Sequence, residues 1–298
     1  MKNRVISLLC VLSLSLPVCG QAVLRPEGVA NIAMQFDCQP RTATSLAMAG
    51  IDAFDNLDFY VRDSQRVDLN LSYMMWERTA SVATSPVDAS VKYRINSLFG
   101  VSASMHVDRM KSTIPTDETA TFVRNGEYRP SNLALGAGFD FFAAKNVDIS
   151  LRARYLRSNF YLGQDYQAVA FDAVASAYFG PVGVSAGVAD IGPKVSGKYA
   201  LPSSALAAVC FDQKGIKAEV QANYYMFGGF RLAAAASYTY AGIVSARVGY
   251  NMGKGTPLED FASVGLGVRV YGIQLNLAYL FSNNPLNGTA GISLNYKF

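Results

Sequence analysis

Apolar and polar residues alternate with a period of two along most of this chain. In the last stretch Ala262, Val264, Leu266, Val268 and Val270 alternate with Ser263, Gly265, Gly267 and Arg269. After a Tyr271-Gly272 turn, Ile273, Leu275, Leu277 and Tyr279 alternate with Gln274, Asn276 and Ala278. Beyond Asn283-Asn284-Pro285, Ile292, Leu294, Tyr296 and Phe298 alternate with Ser293, Asn295 and Lys297. Successive strand residues point to opposite faces, so each segment has one apolar and one polar side. The pattern starts at Val67, Leu69, Leu71 and Tyr73 and recurs roughly fourteen times, an even number of strands of about ten residues, which predicts a transmembrane antiparallel β-barrel in an all-β chain. One segment, Ala205 to Phe211, is apolar throughout, and its facing stays open.

The connections test this independently. Asn96-Ser97, Ala143 to Lys145, Gly180-Pro181, Gln213-Lys214, Ala241-Gly242 and Tyr271-Gly272 are short and have hairpin chemistry. The alternate connections are mostly longer and more polar, notably Arg109 to Arg129, Asp190 to Ser204 and Asn251 to Asp260. Outer-membrane barrels sort their connections in this way, with short periplasmic turns and long extracellular loops.

Three sections follow from the pattern. Residues 1–20 read as a secretory signal, with Lys2 and Arg4 before the apolar run Val5 to Leu16. Residues 21–64 do not alternate and are expected either in the periplasm or inside the lumen. Residues 65–298 form the barrel.

Composition agrees. The chain of 298 residues is 51% hydrophobic and only 16% charged, yet its mature part has no apolar run of about 18 residues, so helical spans are not expected. A formal charge of +4, dispersed along the chain, argues against nucleic acid as a partner. Cys38 and Cys210 lie far apart in sequence, which leaves a disulfide or two buried thiols open.

The lumen-facing set is charged. It includes Lys92, Arg94, His106, Asp108, Asp148, Arg152, Arg154, Arg247 and Arg269, with Asp68, Asp140, Asp172, Lys217, Glu219 and Arg231. Such a set either braces the wall as a cross-strand network or lines an ion or solute route. His106 and Asp108 share a face, but no nucleophile motif accompanies them, so a luminal network is expected rather than a catalytic triad. Gly253-Lys254-Gly255-Thr256 lacks the upstream glycine and following helix of a phosphate loop. Trp76, ending the first strand, is expected in the outer aromatic girdle. No enzyme, cofactor or metal set emerges. Arg109, Lys111, Arg124 and Arg129 flank the longest loop, where lipopolysaccharide phosphates are the expected partners along with outer-membrane lipid.

The motifs also carry a family resemblance. Leu71 to Arg78 resembles the S-Y-x-x-W-x-R first strand of the PorV/PorQ proteins. Asp190-Ile191-Gly192-Pro193-Lys194-Val195, followed by Leu201-Pro202, resembles that family's N-x-G-x-K-[IV] and L-P loop. Ala246 to Tyr250 resembles its R-x-G-Y strand, and Gly265-Leu266-Gly267 the G-x-G that follows. The resemblance implies a fourteen-stranded barrel similar to the FadL fatty-acid transporter, in the outer membrane of Bacteroidota. It implies a non-enzymatic part in type IX secretion, with Arg109, Lys111, Arg124, Arg129, Asp190, Lys194 and Lys198 as candidate contacts for a translocon barrel or cargo signal domains. The alternative is a FadL-type transporter of a hydrophobic small molecule, which needs an apolar internal pocket and a gap or kink in the wall.

Overall fold

A computed structural model describes residues 32–59, 66–76, 84–109, 130–161, 164–284 and 286–298. Fourteen antiparallel strands close into one barrel, in which each strand pairs with its sequence neighbours and β1 (Val67–Met75) pairs with β14 (Ala290–Lys297). The others are β2 (Val87–Arg94), β3 (Phe99–Arg109), β4 (Ser131–Ala144), β5 (Val147–Tyr161), β6 (Gln164–Phe179) and β7 (Val182–Ile191). They continue as β8 (Ser204–Gln213), β9 (Ile216–Tyr225), β10 (Phe230–Tyr240), β11 (Val244–Lys254), β12 (Phe261–Val270) and β13 (Ile273–Phe281). Closure joins the two ends of the strand series and leaves no free edge strand, the condition for a sheet to cross hydrocarbon.

The alternation has its physical counterpart in exposure. Leu71, Leu266 and Val248 on the outer face are 55%, 59% and 56% exposed, whereas Ser72, Gly265 and Arg247 point inward. An outer surface this apolar is what lipid requires. The ambiguous eighth segment resolves the same way: Val209 and Phe211 face out, and Ala208 and Cys210 face in.

One end of the barrel carries the short turns. β8 and β9 are joined by Lys214-Gly215 and β12 and β13 by Tyr271-Gly272, with positive φ at both residues of each pair. That is the backbone of the tight hairpin turn whose twist matches its strands. The observed β4–β5 and β8–β9 turns each sit one residue beyond their sequence-based placement. The other end carries the long connections, with two exceptions: β5 and β6 are joined by two residues and β9 and β10 by four.

Residues 32–59 lie inside the barrel. They run from the long-loop end, where Ile32 bridges Ala200, to the short-turn end, where Arg94 donates to the Phe59 carbonyl. On the way they form a helical turn, Gln35–Cys38, a short helix α1 (Ala43–Ala47) and a further turn α2 (Asp55–Leu57). Thr42 caps α1 by accepting from the Ser45 amide, the usual device for a helix too short to satisfy its own first donors. Ala43, Leu46, Ala47, Ala49 and Ile51 are buried against the inner wall of β10 to β14. Close approach needs wall positions without side chains: a Cβ at Gly249 would stand 2.6 Å from the Ala49 nitrogen, and one at Gly265 would overlap the Ala47 methyl.

Trp76 corrects the girdle expectation. It is 2% exposed and shares the buried cluster that holds α1, because it has the inward parity of Ser72 and Met74. Cys38 and Cys210 are not joined; the Cys210 thiol faces Tyr178 Oη at 3.6 Å.

Candidate functional site: the plugged lumen

The charged lumen residues form separate groups, most of them tied to the internal segment. The central group is built on Arg154 of β5. Its guanidinium donates to Asp37 of the internal segment at 2.6 Å, to Asp172 of β6 at 2.6 Å and to Asp190 of β7 at 2.7 Å. Asp37 also holds Arg41, which reaches Asp88 of β2 at 3.7 Å; Asp88 in turn pairs with His106 Nδ1 at 2.9 Å. Phe36 stacks on the His106 ring at 5.7 Å. Burial works to raise the Asp37 carboxyl, but Arg154 and then Arg41 outweigh it and hold the group below the ordinary aspartate value. One guanidinium with three carboxylates is an arrangement in which removing the cation strands several buried charges.

A second group fixes the end of the segment. Lys217 binds Asp58 at 2.6 Å and Glu219 at 2.5 Å, and the Tyr178 hydroxyl donates to Asp58 at 2.6 Å. Asn56 donates to Asp140 and Ser150, and Ser150 contacts Asp148 at 2.9 Å. Lys92 donates to the Asp55 carbonyl at 3.1 Å. Asp55 opens onto the internal cavity, yet the barrel encloses it on all sides; this enclosure pushes its carboxyl up to about 6, with Lys92 opposing.

Arg231 donates to the Ala49 carbonyl at 2.6 Å and to Asn251 at 2.6 Å, tying α1 to β10 and β11. Asp108 accepts from Asn132 at 3.3 Å, separate from the Asp88–His106 pair. Arg247 and Arg269 bond to amide oxygens. Arg152 lines the cavity of about 530 Å³ that remains between segment and wall.

The proposed contact residues divide differently. Lys194 and Lys198 are exposed in the β7–β8 connection, and Arg109 is exposed at the end of β3. Lys111, Arg124 and Arg129 lie outside the described residues. Asp190 is corrected: it is 7% exposed and turned inward to Arg154, so it presents nothing to a partner. The reason is a bulge, in which Ala189 and Asp190 together oppose Asp172 and Asp190 takes φ 59°. Sequence reasoning missed Asp37, Arg41, Asp58 and Asp88. Asp88 alternates with Val87 and Ala89 at the start of β2, a signal that was present; the others sit in a segment without period.

The bulge marks a discontinuity in the wall. The β6–β7 ladder ends at Phe171–Ile191, whereas β6 continues to Gln164. The chain leaves the sheet at Gly192, which packs against the Val169 carbonyl, and folds inward so that Val195 and Leu201 are buried. Beside this seam the inner wall is apolar. Ala134, Leu156, Ala168 and Ala170 form a patch filled by Met34 and Phe36 of the internal segment together with Val195 and Leu201.

The fold is that of a FadL-like membrane barrel: fourteen antiparallel strands closed around an internal segment. Its similarity is to toluene transporters of known structure. The Ralstonia pickettii toluene transporter TbuX superposes with a TM-score of 0.61 at 9% identity, over 88% of this chain and 100% of that one. The P. putida toluene transporter TodX gives 0.58 at 12% identity, over 88% and 99%. A TodX monoaromatic hydrocarbon channel mutant gives 0.57 at 12% identity, over 88% and 100%. No family model and no curated protein sequence matches the chain.

Proposed function

We propose that the protein is an outer-membrane channel of the FadL type that admits a hydrophobic small molecule, with its short turns in the periplasm and its long loops outside. The observation that carries this reading is the coincidence of two features. The wall loses its ladder between β6 and β7 beyond Phe171–Ile191, and on its inner side at that level lies the apolar patch covered by Met34 and Phe36. A seam can part without breaking strand hydrogen bonds, and an apolar patch in an otherwise polar lumen gives an entering hydrocarbon a place to partition. The likeness to hydrocarbon transporters supports the fold on which this rests.

The test is binding of toluene to the purified barrel in detergent, followed by calorimetry. Phe36→Ala should raise the affinity, since a vacated aromatic site of this kind stays dry and takes up small aromatics. Absence of saturable binding in both the wild type and Phe36→Ala would sink the proposal.

A second reading is favoured by the order of motifs along the sequence: a non-enzymatic component of type IX secretion, meeting a translocon barrel or cargo through its loops. Lys194 and Lys198 are exposed where such contacts would fall. Deleting the gene should then strand signal-bearing proteins in the periplasm, and normal surface display would refute it.

A further inference from the structure

We infer that Arg247 and Arg269 form a receptor for a small soluble dianion, of the phosphate or sulfate class, at the short-turn mouth of the lumen. Most other inward cations described above are spent on carboxylates or on the internal segment: Arg154 on three aspartates, Lys217 on Asp58 and Glu219, Arg41 on Asp37. This pair differs. Arg247 donates to Asn276 Oδ1 at 3.1 Å, and Arg269 donates to Gln274 Oε1 through Nε at 3.1 Å and through its terminal nitrogen at 2.7 Å. Among the described residues no carboxylate pairs with either. Neutral oxygens orient the two guanidiniums and leave both charges uncompensated.

The orientation is built rather than incidental. Gln274 Nε2 donates to the same Asn276 oxygen at 2.8 Å, so two amides couple the two arginines. Asn276 is fully buried and is itself held toward Ser293 at 3.4 Å and Asn295 at 3.3 Å. Gly267 lies under the Arg247 head: a Cβ there would stand 2.8 Å from its guanidinium nitrogen. Both arginines open onto the internal cavity, Arg247 at 8% exposure and Arg269 at the exposed rim. Holding two like charges together without counter-charge is unfavourable, and an anion that accepts from both forks removes the penalty. The site lies inside the wall and is reached only through water, which selects a soluble anion over a lipid headgroup.

The test uses the intact barrel in detergent, titrated with inorganic phosphate and with sulfate in a background of sodium chloride, and read by calorimetry. We expect saturable binding of both ions, at least tenfold weaker in Arg247→Gln and in Arg269→Gln and unchanged in Arg157→Gln, whose side chain is on the outer face. Phosphate should bind more tightly as pH rises and it takes on its second charge, and sulfate should not change. Arg247→Lys keeps charge but not the fork and should bind with intermediate strength, which guards against a fold defect in the glutamine variants. Equal affinities in wild type and both glutamine variants, or displacement by chloride at equal concentration, would overturn the inference.

Discussion

The contact between α1 and the wall can be broken from the wall side, at a strand position whose larger clash is with the internal segment. Gly265→Val is the sharpest way. Valine is a better strand residue than glycine, and position 265 is regularly paired with Arg247 and Ala278, although a Cβ there also stands 2.9 Å from the Leu277 carbonyl, so β13 must give by a few tenths of an ångström. Its side chain would occupy the space of the Ala47 methyl. Overpacking at such a contact costs about 1–3 kcal/mol. If α1 lifts to relieve it, two hydrogen bonds stretch: Ala49 N–H to Ser263 Oγ, 3.3 Å, and the Ser263 hydroxyl to the Ala47 carbonyl, 3.1 Å. Each is worth roughly 0.5–1.5 kcal/mol. The smaller of the two costs applies, about 1–3 kcal/mol by either route, and it raises the undocked fraction of the segment at least about fivefold, because each 1.4 kcal/mol is tenfold. Trp76 is the only tryptophan and shares the buried cluster of α1, so its emission should shift to the red and become quenchable by iodide. Amide exchange of residues 43–52 should quicken while that of β12 and β13 stays slow. Unchanged emission and exchange in a folded Gly265→Val barrel would refute the claim that glycine at this position is what lets the segment dock.

Four further outcomes follow from the same geometry. Arg154→Met should destabilise the barrel by about 3–5 kcal/mol, seen as a lower temperature of heat-modified gel mobility, and Asp37→Asn in the same chain should restore part of the loss, because fewer carboxylates are then stranded. Asp55, with its carboxyl raised to about 6, favours docking when protonated; docking should therefore weaken as pH rises from about 4 through 6, and Asp55→Asn should remove this dependence when read by Trp76 emission. Asp37 has the opposite sign, its contribution present at neutral pH and lost only below the ordinary aspartate range. Leu46→Ala, at a fully buried position, should cost about 2–5 kcal/mol of segment docking and increase exchange in α1.

The wall was legible because lipid allows few exceptions. Outward positions at the level of the hydrocarbon, such as Leu71, Val248 and Leu266, must be apolar, so alternation and strand number could be read from the sequence, and facing everywhere except in the wholly apolar Ala205 to Phe211. Trp76 shows the limit of residue type as a guide: its parity places it inside, while its aromatic character suggested the girdle. The internal segment was not legible in detail, since Asp37 meets Arg154 across 117 positions and Asp58 meets Lys217 across 159, and no local period encodes such pairs. Asp190 was misplaced for a related reason. A bulge shifts facing by one residue, and only the partner strand reveals where the extra residue sits.

The course of residues 32–59 bears on how the barrel is made. This stretch is tethered to β1 at one mouth and pinned to Ala200 at the other, with β1 and β14 forming the seam that closes the wall beside it. Threading it through a finished cylinder would require its charged groups to pass Lys217, Arg231 and Arg154 in turn. Laying it against β10 to β13 while β1 and β14 are still apart requires none of this. A segment laid down in that order would serve as a mandrel around which the sheet curls, leaving the β1–β14 ladder as the last to zip.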